Sequence, residues 1–300
     1  MIELEKTTAS AVEEGGREGV PPALVLAAAQ YHVALNAKAD LSVHALQEEG
    51  EVLGWLVGVQ RGTGRTDSLP DRMYGFVRSA SERPLDLDGV YKLLRRVWGG
   101  SFRANFIPAE LGGAYVGSYK GTTDRYHLSD TFLVRHEDEE GLRRGVRRVA
   151  RQALQKAERG PLEVRSRGRA GDWMQFLGLH VAKSARHGSP AMGRAEIRAL
   201  QSVFGDRLGL TLAVLEGTPV AAVVHVQFGE YALMLDNASL REHWGLNPNN
   251  LVVWHAMRDL LRGGARVIDM GFSARDDEGG HRFKEHMGGT RCPVFSVTSG

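Results

Sequence analysis

The sequence predicts an α/β (α+β) fold with two tandem, similar halves, each a mixed sheet flanked by helices. Segments with helical periodicity alternate with strand-like segments along most of the 300 residues. A hairpin-like segment also occurs twice, because residues 49–62 align without gaps on residues 216–229. This repeat favours a duplicated domain over two hairpins that share valines by chance. The identical pairs are Glu49/Glu216, Gly50/Gly217, Val57/Val224, Val59/Val226, Gln60/Gln227 and Gly62/Gly229.

Composition excludes several classes of protein. A hydrophobic content of 42% is enough for one large domain or two medium ones. The net charge of +2 points to no particular partner. The single cysteine, Cys292, excludes an internal disulfide framework, and one thiol is no metal site. We therefore expect a cytoplasmic protein that needs no metal.

The chain lacks the pattern of a membrane-spanning protein. Its N-terminus is acidic and has no basic start followed by an apolar run, so it does not resemble a secretory signal. The longest apolar stretches, residues 23–29 and 220–224, fall far short of the ~20 residues that a membrane span needs. We predict no transmembrane segment, while peripheral contact with a membrane surface stays open.

The first half divides into elements by local pattern. Residues 1–20 are poor in apolar side chains and rich in Glu and Gly, which predicts a flexible tail. A first domain is then predicted at residues 21–136. Its expected elements are a helix at 23–37, strands at 41–46, 52–60 and 73–78, a helix at 87–98, a Gly-rich segment at 101–121 without assignment, and a strand at 125–134.

The second half begins with a basic amphipathic helix at residues 137–160 that links the halves. A second domain is predicted at residues 161–300. Its expected elements are a strand at 162–165, helices at 172–185 and 194–204, strands at 208–216, 219–228 and 231–237, a helix at 249–262, a strand at 266–271, a short helix at 280–286 and a strand at 293–298.

This order of elements is that of a GNAT acyltransferase domain. In that fold two central parallel strands separate and expose backbone groups that can bind the amide chain of an acyl donor, while a helix N-terminus meets its phosphates. The separating strands are predicted at residues 231–237 and 266–271, with the helix that starts near Asn249 between them.

An ordered set of short motifs resembles the FemAB-like branch of the GNAT superfamily. It covers residues 143–293, and the order of the motifs is more specific than any one of them. The matching residues are Arg151, His187-Gly188-Ser189-Pro190, Gly217-Thr218-Pro219, Asn247-Pro248-Asn249-Asn250-Leu251 with Trp254, Asp269-Met270-Gly271-Phe272-Ser273, Arg282-Phe283-Lys284 and Gly288.

The resemblance implies an N-acyltransferase with two GNAT-like domains. Relatives transfer aminoacyl groups from charged tRNA to amines of peptidoglycan precursors, or acyl groups from CoA to other amines. The implied co-substrate is acyl-CoA, with aminoacyl-tRNA as an open alternative. The implied acceptor is an amine of a small molecule or of a cell-envelope precursor, and tRNA is an open partner.

Three positions depart from the pattern of this branch. Phe272 stands where relatives have Arg, Met287 where they have Trp, and Met270 where they have Phe. Loss of the Arg removes a cation able to hold a phosphate or carboxylate. The departures at Phe272 and Met287 favour the alternative function, a catalytically degenerate GNAT-fold protein that binds an envelope precursor, a nucleotide conjugate or a partner protein.

Two residues are the candidates for the chemistry. A fixed ammonium stabilises the oxyanion that forms when an amine attacks an ester or thioester, and Lys284 is positioned for this in the motif order. Asp269 lies at a predicted strand end, where it either accepts the proton of the amine or caps the following turn.

The remaining candidates bind the two substrates. Donor binding is predicted for Tyr231, Asp236, Asn249, Asn250 and Ser273, with Asn249 capping its helix. Acceptor binding is predicted for Arg151, His187 and Phe283, although Phe283 also suits a packing role. The usual GNAT pyrophosphate loop is missing before Asn249, as in the FemAB-like branch, so the sequence does not choose between CoA and tRNA.

Overall fold

The computed structural model divides into two compact units. Unit 1 consists of Met1–Thr131, Phe272–Asp276 and Cys292–Gly300, and unit 2 consists of Phe132–Gly271 and Asp277–Arg291. The structure describes residues 2–15, 20–36, 38–61, 66–68, 76–78, 87–98, 102–108, 126–166, 168, 170–274 and 276–299.

Over the described residues, the first part of the chain forms six strands and three helices before β7, which contributes residues to both units. In chain order they are β1 (Ile2–Lys6), α1 (Ala9–Gly15), α2 (Pro22–Leu35), β2 (Ala39–Glu48), β3 (Glu51–Arg61), β4 (Thr66–Ser68), β5 (Phe76–Arg78), α3 (Leu87–Trp98), β6 (Phe102–Pro108) and β7 (Tyr126–Arg135). The predicted Gly-rich segment lies partly outside the described residues.

The second part of the chain alternates helices with strands. In order these are α4 (Glu139–Gly145), α5 (Arg148–Glu158), β8 (Leu162–Ser166), α6 (Ala170–His187), α7 (Arg194–Phe204), β9 (Leu208–Leu215), β10 (Thr218–Phe228), β11 (Tyr231–Ser239), α8 (Pro248–Arg262), β12 (Val267–Asp269), α9 (Glu278–His286) and β13 (Thr290–Ser299). Short 3-10 helices precede β9 and α8.

Each unit contains a mixed sheet with one parallel step. In unit 1 the strand order is β1-β2-β3-β4-β6-β13, with β5 also on β3, and β4 runs parallel to β6. In unit 2 the order is β7-β12-β11-β10-β9-β8, and β11 runs parallel to β12. The predicted fold class, two tandem GNAT-like domains that each hold a mixed sheet flanked by helices, is confirmed.

One strand in the sheet of each unit comes from the other part of the chain. Residues 294–299 of β13 pair with β6 in unit 1, although they follow nearly all of unit 2 in sequence. Residues 133–135 of β7 pair with β12 in unit 2. The compact units therefore differ in their limits from the predicted ranges 21–136 and 161–300, because backbone pairing and not chain order decides which sheet a strand completes.

The predicted flexible tail at residues 1–20 is wrong for the described part of that segment. Ile2–Lys6 forms β1, which pairs antiparallel with β2 in a register from Ile2–Glu48 to Lys6–His44. Val12 and Val20 are 0% and 2% exposed. Few apolar residues are thus enough to order the segment, since a sheet edge supplies its backbone hydrogen bonds.

The predicted continuous helix at residues 137–160 is also wrong. It is broken between α4 and α5, where Val146 is extended with a ψ angle of 127°. At the break Arg147 N donates to His286 O at 2.8 Å, and the buried side chain of Val146 is 1% exposed. Gly145 has low helix propensity, so a tertiary hydrogen bond and one buried valine outweigh the continuing helical pattern.

The two copies of the repeated hairpin share the same turn. Glu49 and Gly50 have φ angles of 53° and 80°, and Glu216 and Gly217 have φ angles of 49° and 82°. Two consecutive residues at positive φ define the type I′ turn, whose twist suits a tight hairpin. The Glu-Gly pair aligned in the sequence therefore builds equivalent turns between β2 and β3 and between β9 and β10.

The sheet of unit 2 is covered on both faces. One face packs against α8 with α4 and α5, and Trp254 of α8 is 1% exposed there. The other face packs against α6 and α7 through Phe176, Ile197 and Leu212, among others. The inward orientation expected for Trp254 is confirmed.

The type I′ turn gives a prediction with a matched control. Gly217 has positive φ and an ideal Cβ there meets nothing within 4 Å, so Gly217→Ala adds only backbone strain. We expect it to lower the free energy of unfolding by about 1 kcal/mol, measured from urea unfolding midpoints. Gly178→Ala is the control, because Gly178 is an exposed residue of α6 with equally open space. There the substitution should stabilise by up to about 1 kcal/mol. Shifts of the same sign would contradict this account.

His225 of β10 gives a second prediction. Burial lowers the pKa of His225 from the usual 6.5 to about 4, and its ring lies where a Cβ on Gly209 would come within 2.1 Å of Cε1. As the pH falls from 6.5 to 4, His225 therefore binds a proton in the unfolded chain but stays neutral in the folded chain. Above pH 6.5 the effect is absent, and at its full size it lowers stability by about 3 kcal/mol.

The test compares the wild type with His225→Gln, which cannot titrate. Between pH 6.5 and pH 4 the free energy of unfolding of the wild type should fall relative to that of the variant. The other titratable groups are the same in both proteins, so their effects cancel in this difference. A difference that stays constant over this range would refute the neutral, buried state of His225.

Candidate active site

The parallel strands β11 and β12 separate after a short pairing. Tyr231 pairs with Val267, Ala232 with Ile268 and Leu233 with Asp269, while β11 continues to Ser239. Gly271, at a φ angle of 75°, passes so near β11 that a Cβ there would lie 2.6 Å from Met234 O. Over the described residues, β11 beyond Met234 has no ladder partner on its β12 side. The predicted separation of these strands is confirmed.

A β-bulge lies where β11 leaves β12. The β10–β11 register passes from Val224–Asp236 to His225–Met234, which leaves Leu235 as the extra residue. A bulge bends its strand and increases the local twist. The bulge therefore marks a local change in the course of β11 just beyond its pairing with β12.

Asp269 holds the end of β12. Its side chain is 0% exposed, and its Oδ2 accepts a hydrogen bond from the Tyr231 hydroxyl at 2.7 Å. Its Oδ1 accepts from Gly271 N at 2.8 Å. Asp269 was predicted either to accept a proton or to cap the turn after the strand, and these contacts are those of a turn cap. Tyr231, predicted to bind the donor, is 4% exposed and donates its hydroxyl proton inward.

Lys284 reaches the same strand end from α9. The helix begins at Asp277, whose Oδ1 accepts from Gly280 N at 2.8 Å. Lys284 Nζ donates to Gly271 O at 2.6 Å and lies 5.6 Å from the centre of the Phe132 ring. The neighbouring Phe283 is partly buried and packs on the core between the sheet and α8, which is its predicted packing role. The ammonium of Lys284 therefore lies at the carboxyl end of β12, beside the strand separation.

The start of α8 corrects one prediction. Asn247, in the left-handed region at φ 56° and ψ 44°, is the N-cap residue, so Asn249 does not cap the helix. Asn249 Nδ2 instead donates to Ser239 Oγ at 2.9 Å, which ties the helix start to the last residue of β11. Asn250 Nδ2 lies 3.4 Å from Met287 Sδ. A proline at the first helical position displaced the cap by two residues toward the N-terminus.

A buried polar cluster in unit 2 was missed by sequence reasoning. Asp236 Oδ2 lies 2.6 Å from His180 Nδ1, and Lys183 Nζ pairs with the other carboxylate oxygen. Ser184 Oγ lies 3.2 Å from His180 Nε2. One face of α6 carries Phe176, His180 and Ser184, each four residues after the one before. The change from apolar to polar side chains along this buried face was the sequence signal for the cluster.

The other predicted residues lie in different places. Arg151 donates to Val146 O across the break between α4 and α5. His187 is the exposed last residue of α6. Ser273 belongs to unit 1, where it forms a backbone bridge with Asp130, with Ser273 N donating to Asp130 O at 2.8 Å. The structure thus brings Asp269, Tyr231 and Lys284 together, and it gives Arg151 a local structural contact.

Two of the three departures from the FemAB-like pattern are core substitutions. Met287 is 0% exposed and Met270 is 5% exposed, and both belong to the core that packs against α8. Methionine fills irregular gaps in a core, so a thioether can replace an aromatic ring without opening the site.

The basic helix faces are partly neutralised. Arg144 pairs with Glu140 at 2.9 Å, and Arg147 lies 3.8 Å from Glu285. Arg143 lies over the Trp254 ring at 5.8 Å.

The described residues contain no cluster of three or more His, Cys, Asp or Glu side chains able to hold a metal ion. Within the same residues, no helix has both the length and the hydropathy needed to cross a membrane.

Comparison with known proteins agrees with this geometry. Residues 143–285 match the family model of an acetyltransferase (GNAT) domain. No curated protein matches the chain. The crystal structure of FemX has a TM-score of 0.67 at 13% identity, and the match covers 99% of this chain and 97% of FemX.

Two further structures have the same fold over nearly their whole length. A tandem GNAT protein from the clavulanic acid biosynthesis pathway has a TM-score of 0.56 at 14% identity, covering 100% of this chain and 99% of that one. The C-terminal domain of a putative lysylphosphatidylglycerol synthetase from Agrobacterium fabrum has a TM-score of 0.54 at 12% identity, covering 97% and 90%. Residues 143–285 thus match a GNAT acetyltransferase domain, and the chain shares its fold with FemX and a tandem GNAT protein, in agreement with the resemblance to the FemAB-like branch.

Proposed function

We propose that the protein is an N-acyltransferase that moves an acyl or aminoacyl group from acyl-CoA or aminoacyl-tRNA to an amine. One observation carries the proposal. The ammonium of Lys284 lies at Gly271 O, at the end of β12, where β11 loses its partner strand. A fixed cation next to free backbone groups suits a reaction in which a carbonyl oxygen gains negative charge.

The donor lies along β11 beyond Leu233, the last residue of this strand that pairs with β12. Residues 235–239 offer backbone groups to the amide chain of a donor in the way that a sheet edge accepts another strand. The first N–H groups of α8 lie beyond Ser239 and suit a phosphate. Asn249 contributes by joining these two parts through its hydrogen bond to Ser239.

The other residues predicted to bind the donor act indirectly, by holding the backbone on which the donor lies. Asp236 and Tyr231 have inward hydrogen bonds, so we propose that they fix the backbone of β11 on which the donor lies. Asn250 has the same role at the start of α8. Ser273 remains a prediction for donor contact.

The amine attacks the donor carbonyl directly, without a covalent enzyme intermediate. The new N–C bond forms as the carbonyl oxygen becomes an oxyanion, and Lys284 stabilises that charge. The bond to the thiol or ribose oxygen of the donor then breaks. Both oxygens of Asp269 already accept hydrogen bonds inside the fold, so we propose that Asp269 holds the Gly271 turn and, through Gly271 O, the ammonium of Lys284.

The acceptor is an amine of a small molecule or of a cell-envelope precursor, met in the cytoplasm. Arg151, His187 and Phe283 remain the predicted contacts for it. The rival function, a degenerate GNAT-fold binding protein, rested on the departures at Phe272 and Met287. Because Met287 is a core residue, Phe272 is the departure that still supports the rival.

Lys284→Met is the direct test of the chemistry. Removal of the ammonium should lower turnover by about 10²–10³-fold while the affinity for the donor changes by less than about threefold, since only the transition state carries the charge. Acyl transfer is followed by mass spectrometry and donor binding by calorimetry. Lys92→Met, at an exposed lysine of α3 in unit 1, is the matched control and should keep full turnover. Full turnover in Lys284→Met would remove Lys284 from the mechanism.

The donor is identified in a separate experiment. The protein is incubated with a panel of acyl-CoA compounds and, in parallel, with charged tRNA at rising salt, and the bound and released species are weighed by mass spectrometry. Release of free CoA with acylated amine identifies an acyl-CoA enzyme. Binding of charged tRNA that weakens steeply with salt identifies the tRNA-dependent reaction. A ligand that binds tightly to either preparation and is never turned over would favour the binding protein.

A further inference from the structure

The cluster formed by His180, Lys183, Ser184 and Asp236 has the arrangement of a proton relay. Asp236 Oδ2 lies 2.6 Å from His180 Nδ1, and Ser184 Oγ lies 3.2 Å from His180 Nε2. We infer that His180, oriented by Asp236 and reached through the Ser184 hydroxyl, takes the proton that the acceptor amine loses. This inference rests on the proposed acyl transfer and adds the proton acceptor to it.

The position of the cluster on β11 supports this role. Asp236 follows the Leu235 bulge and lies two residues beyond Met234, whose carbonyl oxygen is the atom nearest to Gly271. Strand residues are spaced by about 3.3 Å, so Asp236 lies about 7 Å along β11 from that point. The Lys284 ammonium marks the same point from the β12 side through its bond to Gly271 O. Asp236 on β11 and the Lys284 ammonium at Gly271 O thus both lie near the point where the β11–β12 pairing ends.

The hydrogen bonds fix which nitrogen accepts the proton. A carboxylate at Nδ1 requires the ring proton there, which leaves Nε2 as an acceptor for the Ser184 hydroxyl. Lys183 pairs with the second oxygen of Asp236 and favours its charged form. A charged carboxylate stabilises the histidinium that appears when Nε2 takes up a proton, as in hydrolytic triads.

Asp269 is less suited to the same task. Its side chain is 0% exposed and both oxygens accept hydrogen bonds within the fold. The His180 and Lys183 side chains are 11% and 20% exposed, so their cluster lies at the margin of the core. In this proposal the Ser184 hydroxyl, on a residue that is 3% exposed, links His180 Nε2 to the acceptor.

The proton balance follows from an acceptor that arrives as an ammonium ion. It gives one proton to Ser184 Oγ while the hydroxyl proton of Ser184 passes to His180 Nε2. The free amine attacks the carbonyl of an acyl thioester, the N–C bond forms and the C–S bond breaks. The leaving thiolate takes the second proton from the nitrogen. The histidinium then releases its proton to water, so the products are one amide, one thiol and one proton.

Two small acceptors separate a relay from a packing network. Ethylamine is almost wholly protonated at neutral pH, whereas hydroxylamine is mostly free base. With acetyl-CoA as donor, His180→Ala should lower the rate with ethylamine by about 10²-fold or more, and the rate with hydroxylamine by less than about tenfold. Ser184→Ala and Asp236→Asn should also lose more rate with ethylamine than with hydroxylamine, although both losses should be smaller. These two variants provide the test if His180→Ala does not fold.

The control and the contrary outcomes are set by the same assay. His255→Ala removes a partly buried histidine of α8, outside this cluster, and should leave both rates within about twofold of the wild type. Losses of equal size for the two acceptors would overturn the relay, because a packing defect does not distinguish an ammonium from a free base. A wild type that releases neither CoA from the acyl-CoA panel nor tRNA from charged tRNA would instead overturn the proposed function itself.

Discussion

The separation of β11 from β12 is the constraint on which the candidate site depends. Pairing stops at Leu233–Asp269 because the chain after Asp269 turns at Gly271, whose backbone only a glycine can bring so close to Met234 O. Asp269 fixes that turn with both carboxylate oxygens. A β-bulge at Leu235 follows in β11, just beyond the end of this pairing.

In the tandem architecture, each unit depends on a strand from the other part of the chain. Each sheet contains one parallel step and is completed by a strand from the other part of the chain, β13 in unit 1 and β7 in unit 2. Neither half of the sequence could therefore form its complete sheet if it were expressed alone. This exchange also explains why a family model that spans residues 143–285 covers most of unit 2 and omits β7.

Charges at the site are divided between two strands. Lys284 is held at the end of β12, and Asp236 with His180 and Lys183 is held on β11 beyond the bulge. Acyl transfer to an amine needs a cation for the oxyanion and a base for the ammonium, and these must be kept apart so that neither neutralises the other.

The sequence determined the element order, the strand separation, the duplicated type I′ hairpin and the motif that contains Lys284, because periodicity, Glu-Gly turns and short spaced motifs are local properties. Tertiary structure alone decided the rest. It ordered Ile2–Lys6 through pairing with β2, broke the basic helix at Val146 through the bond from Arg147 to His286, and moved the α8 cap to Asn247. It also joined His180 to Asp236, which are 56 residues apart. Such contacts depend on which distant groups meet after the sheet has formed, and no local pattern records that.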